Sequence, residues 1–294
     1  MDFGSLLPSL KASFQGQQGV SVFTFRQPQL TFCFFQMDPS KPGSKFFGDR
    51  AVRQALNYAT NREGLVKAVY FGDAVVAESM LEPPTSWAYD ATPKPTYTYD
   101  LKKAGKLLDQ AGWTKGAGGV RTKDGQQLHF SVLVGNDKNW DADIQAMQES
   151  WRQIGVIADI QVEETAQVSA EVAIGRNFDM LLTEFGFTAV DPDPTNSITS
   201  ASAASGGLNG SDYRNSEVDR LCGEAVATSN QANRKRMYRN LQSIVSADAP
   251  RLPMLSPSAI YGVTQRVRGL QSGLGPYTRY VRPFMKDLWV TDGQ

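Results

Sequence analysis

A chain of 294 residues with 41% hydrophobic and 20% charged side chains is long enough for one large domain or two smaller ones, and has the composition of a folded, soluble protein. Thirty basic side chains balance thirty acidic ones, which removes the one-sided field that nucleic acid or an anionic membrane surface demands, so no nucleic-acid partner is expected. Cys33 and Cys222 are too few for a disulfide framework and lie in no metal-ligand spacing, and no stretch approaches the roughly 18 apolar residues of a membrane-spanning helix.

The start, Met1-Asp2-Phe3-Gly4, has neither the basic nor the apolar region of an export signal, so no signal sequence is read there. Residues 20–25 and 30–35 are β-prone runs set between Gly, Pro and Ser, predicting two strands, with Cys33 as a buried thiol. From 49 to 69 the apolar Val52, Leu56, Ala59, Leu65, Val66 and Val69 recur mostly at three or four, predicting an amphipathic helix that breaks or restarts at Asn61-Arg62. Residues 82–99 carry Pro83, Pro84, Pro93 and Pro95, which exclude a single helix; an ordered connection along the surface is expected. Asp100 then caps a helix with Ala104, Leu107, Leu108 and Ala111 on one face, stopped by Gly112.

Residues 127–134 alternate as a strand, 141–154 form a helix closed by Gly155, and 156–162 read as the next strand. A short helix at 166–174 leads to a strand at 178–183. This middle third therefore predicts an α/β layer with crossover helices and a ligand at its strand ends. Residues 191–213 make a loop too long for a turn, of the kind that carries function; helices at 217–228 and 231–248 and a strand-like tail from 252 to 289 follow.

Catalytic machinery is hard to assemble from these residues. The single histidine, His129, lies inside a predicted strand and reads as structural, and no nucleophile elbow or phosphate-binding glycine loop is present. Gly116-Ala117-Gly118-Gly119 reads as a hairpin or linker, and the carboxylates offer at most a weak hard-cation site. The segment from Phe185 to Pro194 is the densest unusual stretch. Its aromatics and acids can line a pocket, while Asp191 and Asp193 can equally serve only to shape turns before proline. Arg234-Lys235-Arg236 reads as a solvated helix face.

Residues 49–63, Asp-Arg-Ala-Val-Arg-Gln-Ala-Leu-Asn-Tyr-Ala-Thr-Asn-Arg-Glu, resemble the V-R-Q-A-L-x-Y-A-x-D-R helix of the peptide/nickel family (family 5) of extracytoplasmic solute-binding proteins of ABC importers. The similarity continues, in the family's order, through Pro83-Pro84-Thr85-Ser86-Trp87-Ala88-Tyr89-Asp90, Tyr99-Asp100-Leu101-Lys102-Lys103-Ala104 and Leu107-Leu108-Asp109-Gln110-Ala111-Gly112-Trp113. Trp151 to Val156, Asp179 to Leu182, Tyr213 to Asp219 and Asp248 to Pro253 complete it over nearly the whole chain.

The resemblance implies a periplasmic-binding-protein-like class II fold, an α/β architecture of two lobes that close over a ligand. Residues 1–45 are then crossover strands from the N-terminal lobe, 46–250 the C-terminal ligand-binding lobe and 251–294 strands returning toward the first lobe. Most of the N-terminal lobe is absent, so the chain reads as a fragment. The implied function is the solute-binding component of an ABC-type importer for peptide, nickel or oligosaccharide-like ligands. It would have no catalytic activity, cofactor or metal and would work with a membrane permease from the periplasm or as a cell-surface lipoprotein. Rival readings are a ligand-sensing or chaperone-like binding protein of the same fold and a hydrolase using Glu184 and Asp191 as acid and base.

Peptide-binding members place in a W-x-x-D segment an aspartate that pairs with the ligand's ammonium group. The matching position here is Val190, with Phe187 at the tryptophan and Asp191 one residue late. Dipeptide-binding members carry an arginine for the ligand carboxylate where this chain reads Trp140-Asp141-Ala142. Both departures argue against a zwitterionic dipeptide and leave a sugar, a hydrophobic peptide-like molecule or another neutral solute open. The residues expected to line the cleft are Phe185, Phe187, Thr188, Val190 and Asp191, with Asn136 and Trp140 from the neighbouring strand end.

Overall fold

The structure, a computed structural model, describes residues 3–136, 140–187, 191–269 and 289–291. Strand β1 (Phe3–Ser5) and the short helix α1 (Lys11–Gln15) lead into β2 (Val20–Arg26) and β3 (Gln29–Phe35). All seven residues of β3 are buried, which is why it reads as a near-continuous apolar run: it is covered on both faces. Strict alternation divides it. Leu30, Phe32 and Phe34 pack into one apolar cluster, and Cys33 and Phe35 into another on the opposite face of the sheet.

After α2 (Ser44–Phe47), the predicted long helix is two, α3 (Arg50–Ala59) and α4 (Arg62–Ala68), broken at the expected Asn61. Each has its own cap: Asp49 Oδ1 accepts from Ala51 N at 2.9 Å and Asn61 Oδ1 from Gly64 N at 2.9 Å. The two arginines of the family-like motif are buried scaffolding. Arg53 donates to the carbonyls of Phe47 (2.6 Å), Asp248 (2.7 Å) and Ala249 (3.1 Å). Arg62 donates to those of Tyr97 and Pro253, both at 2.6 Å, and to the Asn57 side chain at 3.1 Å.

Strand β4 (Ala74–Val76) precedes the proline-rich connection, which differs from its expected surface path: Pro83, Ala88, Pro93 and Tyr97 are buried. A strap with no secondary structure of its own can be buried only if other side chains satisfy its backbone. Here Gln242 Nε2 donates to Ala88 O (2.8 Å), Ser246 Oγ to Pro95 O (2.6 Å) and Arg62 to Tyr97 O, while Tyr97 Oη donates to Ser246 O at 2.7 Å. Helix α5 (Leu101–Gln110) follows, capped by Asp100, whose Oδ1 accepts from Lys103 N at 2.9 Å; it is left through Gly112 at φ +85°.

A three-stranded side sheet of β5 (Thr114–Lys115), β6 (Arg121–Lys123) and β7 (Gln126–Gln127) takes its first hairpin from the Gly116–Gly119 run. Then β8 (His129–Gly135), α6 (Trp140–Gln153) and β9 (Ile157–Glu163) form the predicted β-α-β unit, with β8 and β9 parallel in register from His129–Ile157 to Gly135–Glu163. Helix α7 (Thr165–Ala170) ends in a π-helical turn and feeds β10 (Met180–Gly186), parallel to β8 and antiparallel to β3.

Helices α8 (Thr195–Ile198), α9 (Ser216–Ala227) and α10 (Gln231–Asp248) precede the 14-residue strand β11 (Arg251–Thr264), with β12 (Val267–Arg268) and β13 (Trp289–Val290) pairing beyond it. The main sheet runs β1-β11-β3-β10-β8-β9, with β2 and β4 also on β11. Strand β11 changes partner along its length: Arg251–Leu255 pair with β3, with a register shift between Pro253 and Leu255, and Ser258–Thr264 pair with β2. It therefore runs on from the α/β layer to build a ribbon with β1 and β2.

Candidate functional site

A cleft of about 540 Å³ opens at the C-terminal end of β10, the edge at which α/β sheets present ligand sites. Three segments wall it: Glu184–Phe187 from β10 and its exit, Asp191–Asp193 with Asn196 and Ser197 from the long loop, and the strap from Glu82 to Trp87; Pro28 and Leu208 complete the rim. Phe185 rests edge-on against Phe32 (4.9 Å between centroids) and Phe34 (5.9 Å), so the cleft floor continues into the smaller core. Phe187 is fixed through its backbone, donating to Pro28 O at 2.7 Å.

The expected cleft residues divide. Phe185, Phe187 and Asp191 line the cleft, while Thr188 and Val190 lie outside the described residues. Asn136 is exposed at the end of β8, apart from the residues that line this cleft. Trp140 is 4% exposed and belongs to the larger core. A side chain at Gly135 would come within 2.6 Å of Thr165 Oγ1 and 3.3 Å of the Trp140 ring, so the end of β8 packs closely against α7 and the indole. His129 also lies away from the cleft, its Nε2 2.7 Å from Asp159 Oδ2 on the adjacent strand.

Arg234 corrects the solvated-face reading of its helix. Its side chain is 11% exposed, and Nη1 donates to both Asp191 oxygens, at 2.7 and 2.9 Å. Nη2 donates to Pro192 O (3.2 Å) and Tyr238 Oη (3.1 Å), and the guanidinium lies 5.5 Å from the Trp87 ring centroid. Asp191 is thus tied to α10. Asp193 has the turn-shaping role, accepting from Thr195 N at 2.9 Å, and Glu184 accepts from the Gln29 side-chain amide. To serve with Glu184 as an acid–base pair, Asp191 would have to surrender both oxygens from Arg234.

Three residues central to the site were not picked out from sequence. Arg251 is buried beneath the cleft, 5.0 Å from the Phe32 and Phe34 centroids and 5.7 Å from Phe185. It donates to Met80 O at 3.3 Å and to Ser197 O, joining strap to loop from below, and burial pushes its guanidinium down to about 9. Trp87 lines the opposite wall, edge-on to Tyr238 at 5.9 Å.

Glu82 lines the cleft yet is only 2% exposed, and its Oε1 has no hydrogen-bond partner among the described residues. Burial pushes its carboxyl up to about 7; the Ser86 hydroxyl opposes the rise, and the charges of Asp193 and Asp191 add to it. Among the described residues, no three His, Cys, Asp or Glu side chains are grouped to hold a metal ion.

Residues 1–207 match the family model described as bacterial extracellular solute-binding proteins, family 5, middle region. The chain is 31% identical over 232 residues to the heme-binding protein A of Haemophilus influenzae, covering 78% of this chain and 40% of that one. It is 29% identical over 263 residues to the dipeptide-binding protein of Escherichia coli, covering 86% and 45%. The solved structure of the oligopeptide-binding protein AppA from Bacillus subtilis, in complex with a nonapeptide, superposes with a TM-score of 0.85 at 24% identity, over 99% of this chain and 56% of that one. The chain thus spans less than half the length of the two curated relatives and just over half of the solved one, whose periplasmic-binding-protein architecture accounts for the mixed sheet with flanking helices. By its sequence over residues 1–207, the chain belongs to family 5 of the bacterial extracellular solute-binding proteins.

Proposed function

We infer that this chain is the ligand-binding lobe of a solute-binding component of an ABC-type importer, and that it catalyses nothing. The observation that carries the reading is the cleft at the end of β10, walled by aromatic rings and carboxylates and braced from below by Arg251. On this reading β2 and β11, which pair antiparallel, lead from this lobe toward a second one. A solute held between the lobes stabilises the closed state by its higher affinity for that state, and the closed form is what a membrane permease recognises. The protein works outside the cytoplasm, in the periplasm or held at the cell surface by a lipid anchor.

The relatives' names mention heme, dipeptides and oligopeptides, so the family frame alone does not choose the solute. Native mass spectrometry of the protein purified from its host tests the reading. A one-to-one small-molecule adduct that is released on unfolding is expected. Absence of any adduct, together with no thermal shift in the presence of a small-molecule extract of the host, overturns it.

A further inference from the structure

A carboxylate withdrawn from water must recover its lost solvation from hydrogen bonds or from an opposite charge. The cleft holds four: Glu82, Glu184, Asp191 and Asp193. Three are engaged. Glu184 accepts from Gln29, Asp191 from Arg234 and Asp193 from the backbone of Thr195. Glu82 differs, being nearly inaccessible while its Oε1 has no partner among the described residues. No Lys, Arg or His stands among the described residues lining the cleft, and Arg234 reaches only its rim, through Asp191.

We propose that Glu82 is the acceptor for a cationic group of the solute, an ammonium or guanidinium that enters between the strap and the exit of β10 and completes the hydrogen bonding of Oε1. This rests on the reading of the cleft as the solute site and replaces the neutral solute expected from sequence. The walls suit such a group: the aromatic rings of Trp87, Phe185 and Phe187 surround it with apolar surface, and Asp193 adds a second negative charge. A solute carboxylate finds no basic partner among the described residues that line the cleft. The position of Glu82 is fixed independently of any ligand. Its backbone N–H is held by Ser79 Oγ at 3.1 Å, and Arg251 anchors the same strap at Met80 O, so the cation site is preformed.

The groups that set the ionisation of Glu82 come from each neighbouring element: Ser86 on the strap, Asp191 and Asp193 on the loop, and Tyr238 on α10, with Arg234 acting on Asp191 and Tyr238. A bound cation draws the carboxyl into its charged form, so binding strengthens as pH rises through about 7.

The test is native mass spectrometry at pH 7.5 of wild type and Glu82→Gln against a defined set of tetrapeptide amides. The set carries free or acetylated amino ends and an arginine, alanine or glutamate side chain. The free-end and arginine members separate a terminal ammonium from a side-chain cation as its source. Members bearing at least one cation should bind wild type preferentially, and Glu82→Gln should lose at least tenfold of that binding while keeping the wild-type circular dichroism spectrum. Glu82→Asp, which retains the charge, should restore part of it. Equal binding of the neutral acetylated members, or an unchanged cation preference in Glu82→Gln, overturns the proposal while leaving the solute-binding reading in place. If no member binds, the proposal also falls, and the adduct experiment on protein from the host decides the solute-binding reading separately.

Discussion

Two regions of this molecule bury charge and treat it in opposite ways. Where α3, α4, the strap and β11 meet, Arg53 and Arg62 are buried to within 4–6% exposure, and each guanidinium spends its donors on carbonyls of segments distant in sequence. In the cleft, Glu82 is buried as deeply but keeps an oxygen without a partner among the described residues. A buried charge that is fully bonded by its own chain holds the fold together; one left incomplete beside a cleft is disposed to bond something that arrives later. Removing each kind should therefore move stability in opposite directions.

The largest effect is expected at Arg62. Arg62→Met keeps most of the apolar volume but leaves the carbonyls of Tyr97 and Pro253 buried without donors. That should destabilise the chain by about 3–5 kcal/mol, lowering the melting temperature by roughly 10 °C in a thermal scan. A change of less than about 1 kcal/mol would show that the junction does not depend on its buried cation.

Glu82→Gln should act the other way, and only at high pH. The Glu82 carboxyl is pushed up to about 7, so in the folded state it holds its proton between the ordinary glutamate range and 7, where the unfolded chain has lost it. Stability then falls as pH rises through that window, because the native state binds more protons. Glutamine is spared the cost, so the variant should be more stable than wild type at pH 8 by roughly 1–3 kcal/mol, with the gain fading at pH 5. Denaturant titrations at the two pH values measure it, and an equal gain at both would exclude ionisation of Glu82 as the cause.

These opposite roles also mark how far the sequence could be read. Helix limits were legible because their causes are local: Asp49, Asn61 and Asp100 each cap the helix that begins beside them, and Gly112 and Gly155 adopt positive φ where helices end. The strap was misplaced because its burial depends on Gln242 and Ser246, some 150 positions away in the chain. The place of Phe185, Phe187 and Asp191 on the cleft wall was legible because the strand and the long loop after it are visible as patterns. A tryptophan following a strand has the same local signature whether it faces a cleft or, as Trp140 does, the core. Glu82, a glutamate before two prolines, has the local signature of a solvated turn; only the fold of Glu82–Trp87 over β10 turns it into a buried acid.

Asp143 sharpens the comparison as an intermediate case. It too is buried with no cationic partner among the described residues and pushed up to about 7 by burial, with Asp141 adding to the rise, but Tyr70 Oη donates to its Oδ2 at 2.7 Å. It lies in α6 among core residues and not on the cleft. Asp143→Asn keeps an oxygen to accept from Tyr70, and the Asp143 carboxyl is raised as far as that of Glu82, so the gain at pH 8 should be similar, roughly 1–3 kcal/mol, and smaller at pH 5. Its binding profile against the tetrapeptide set should match wild type. A loss of cation preference in Asp143→Asn would mean that buried acids act on the cleft through the fold rather than by contact, which would break the distinction between the two regions.

The smallest stability effect belongs to Arg234, which has one foot in each region. Its side chain is packed beneath Trp87 like a structural arginine, but its carboxylate partner Asp191 is 66% exposed, and an ion pair so open to water contributes only about 0–1 kcal/mol. Arg234→Met should therefore leave the melting temperature within about 2 °C of wild type. The change should instead be local. Losing the contacts to Asp191 and Pro192 frees the loop that forms one wall of the cleft, and hydrogen exchange should accelerate across residues 191–197 without changing in α3 or α4. It also leaves Asp191 without its cation, so the cleft gains one uncompensated negative charge. Cationic tetrapeptides should then bind at least as well as to wild type when the loop can still close, and more weakly when the ordering cost of the wall exceeds the added attraction. Comparing exchange rates with and without a bound cationic peptide separates the two terms, since only the ordering cost appears as restored protection of residues 191–197.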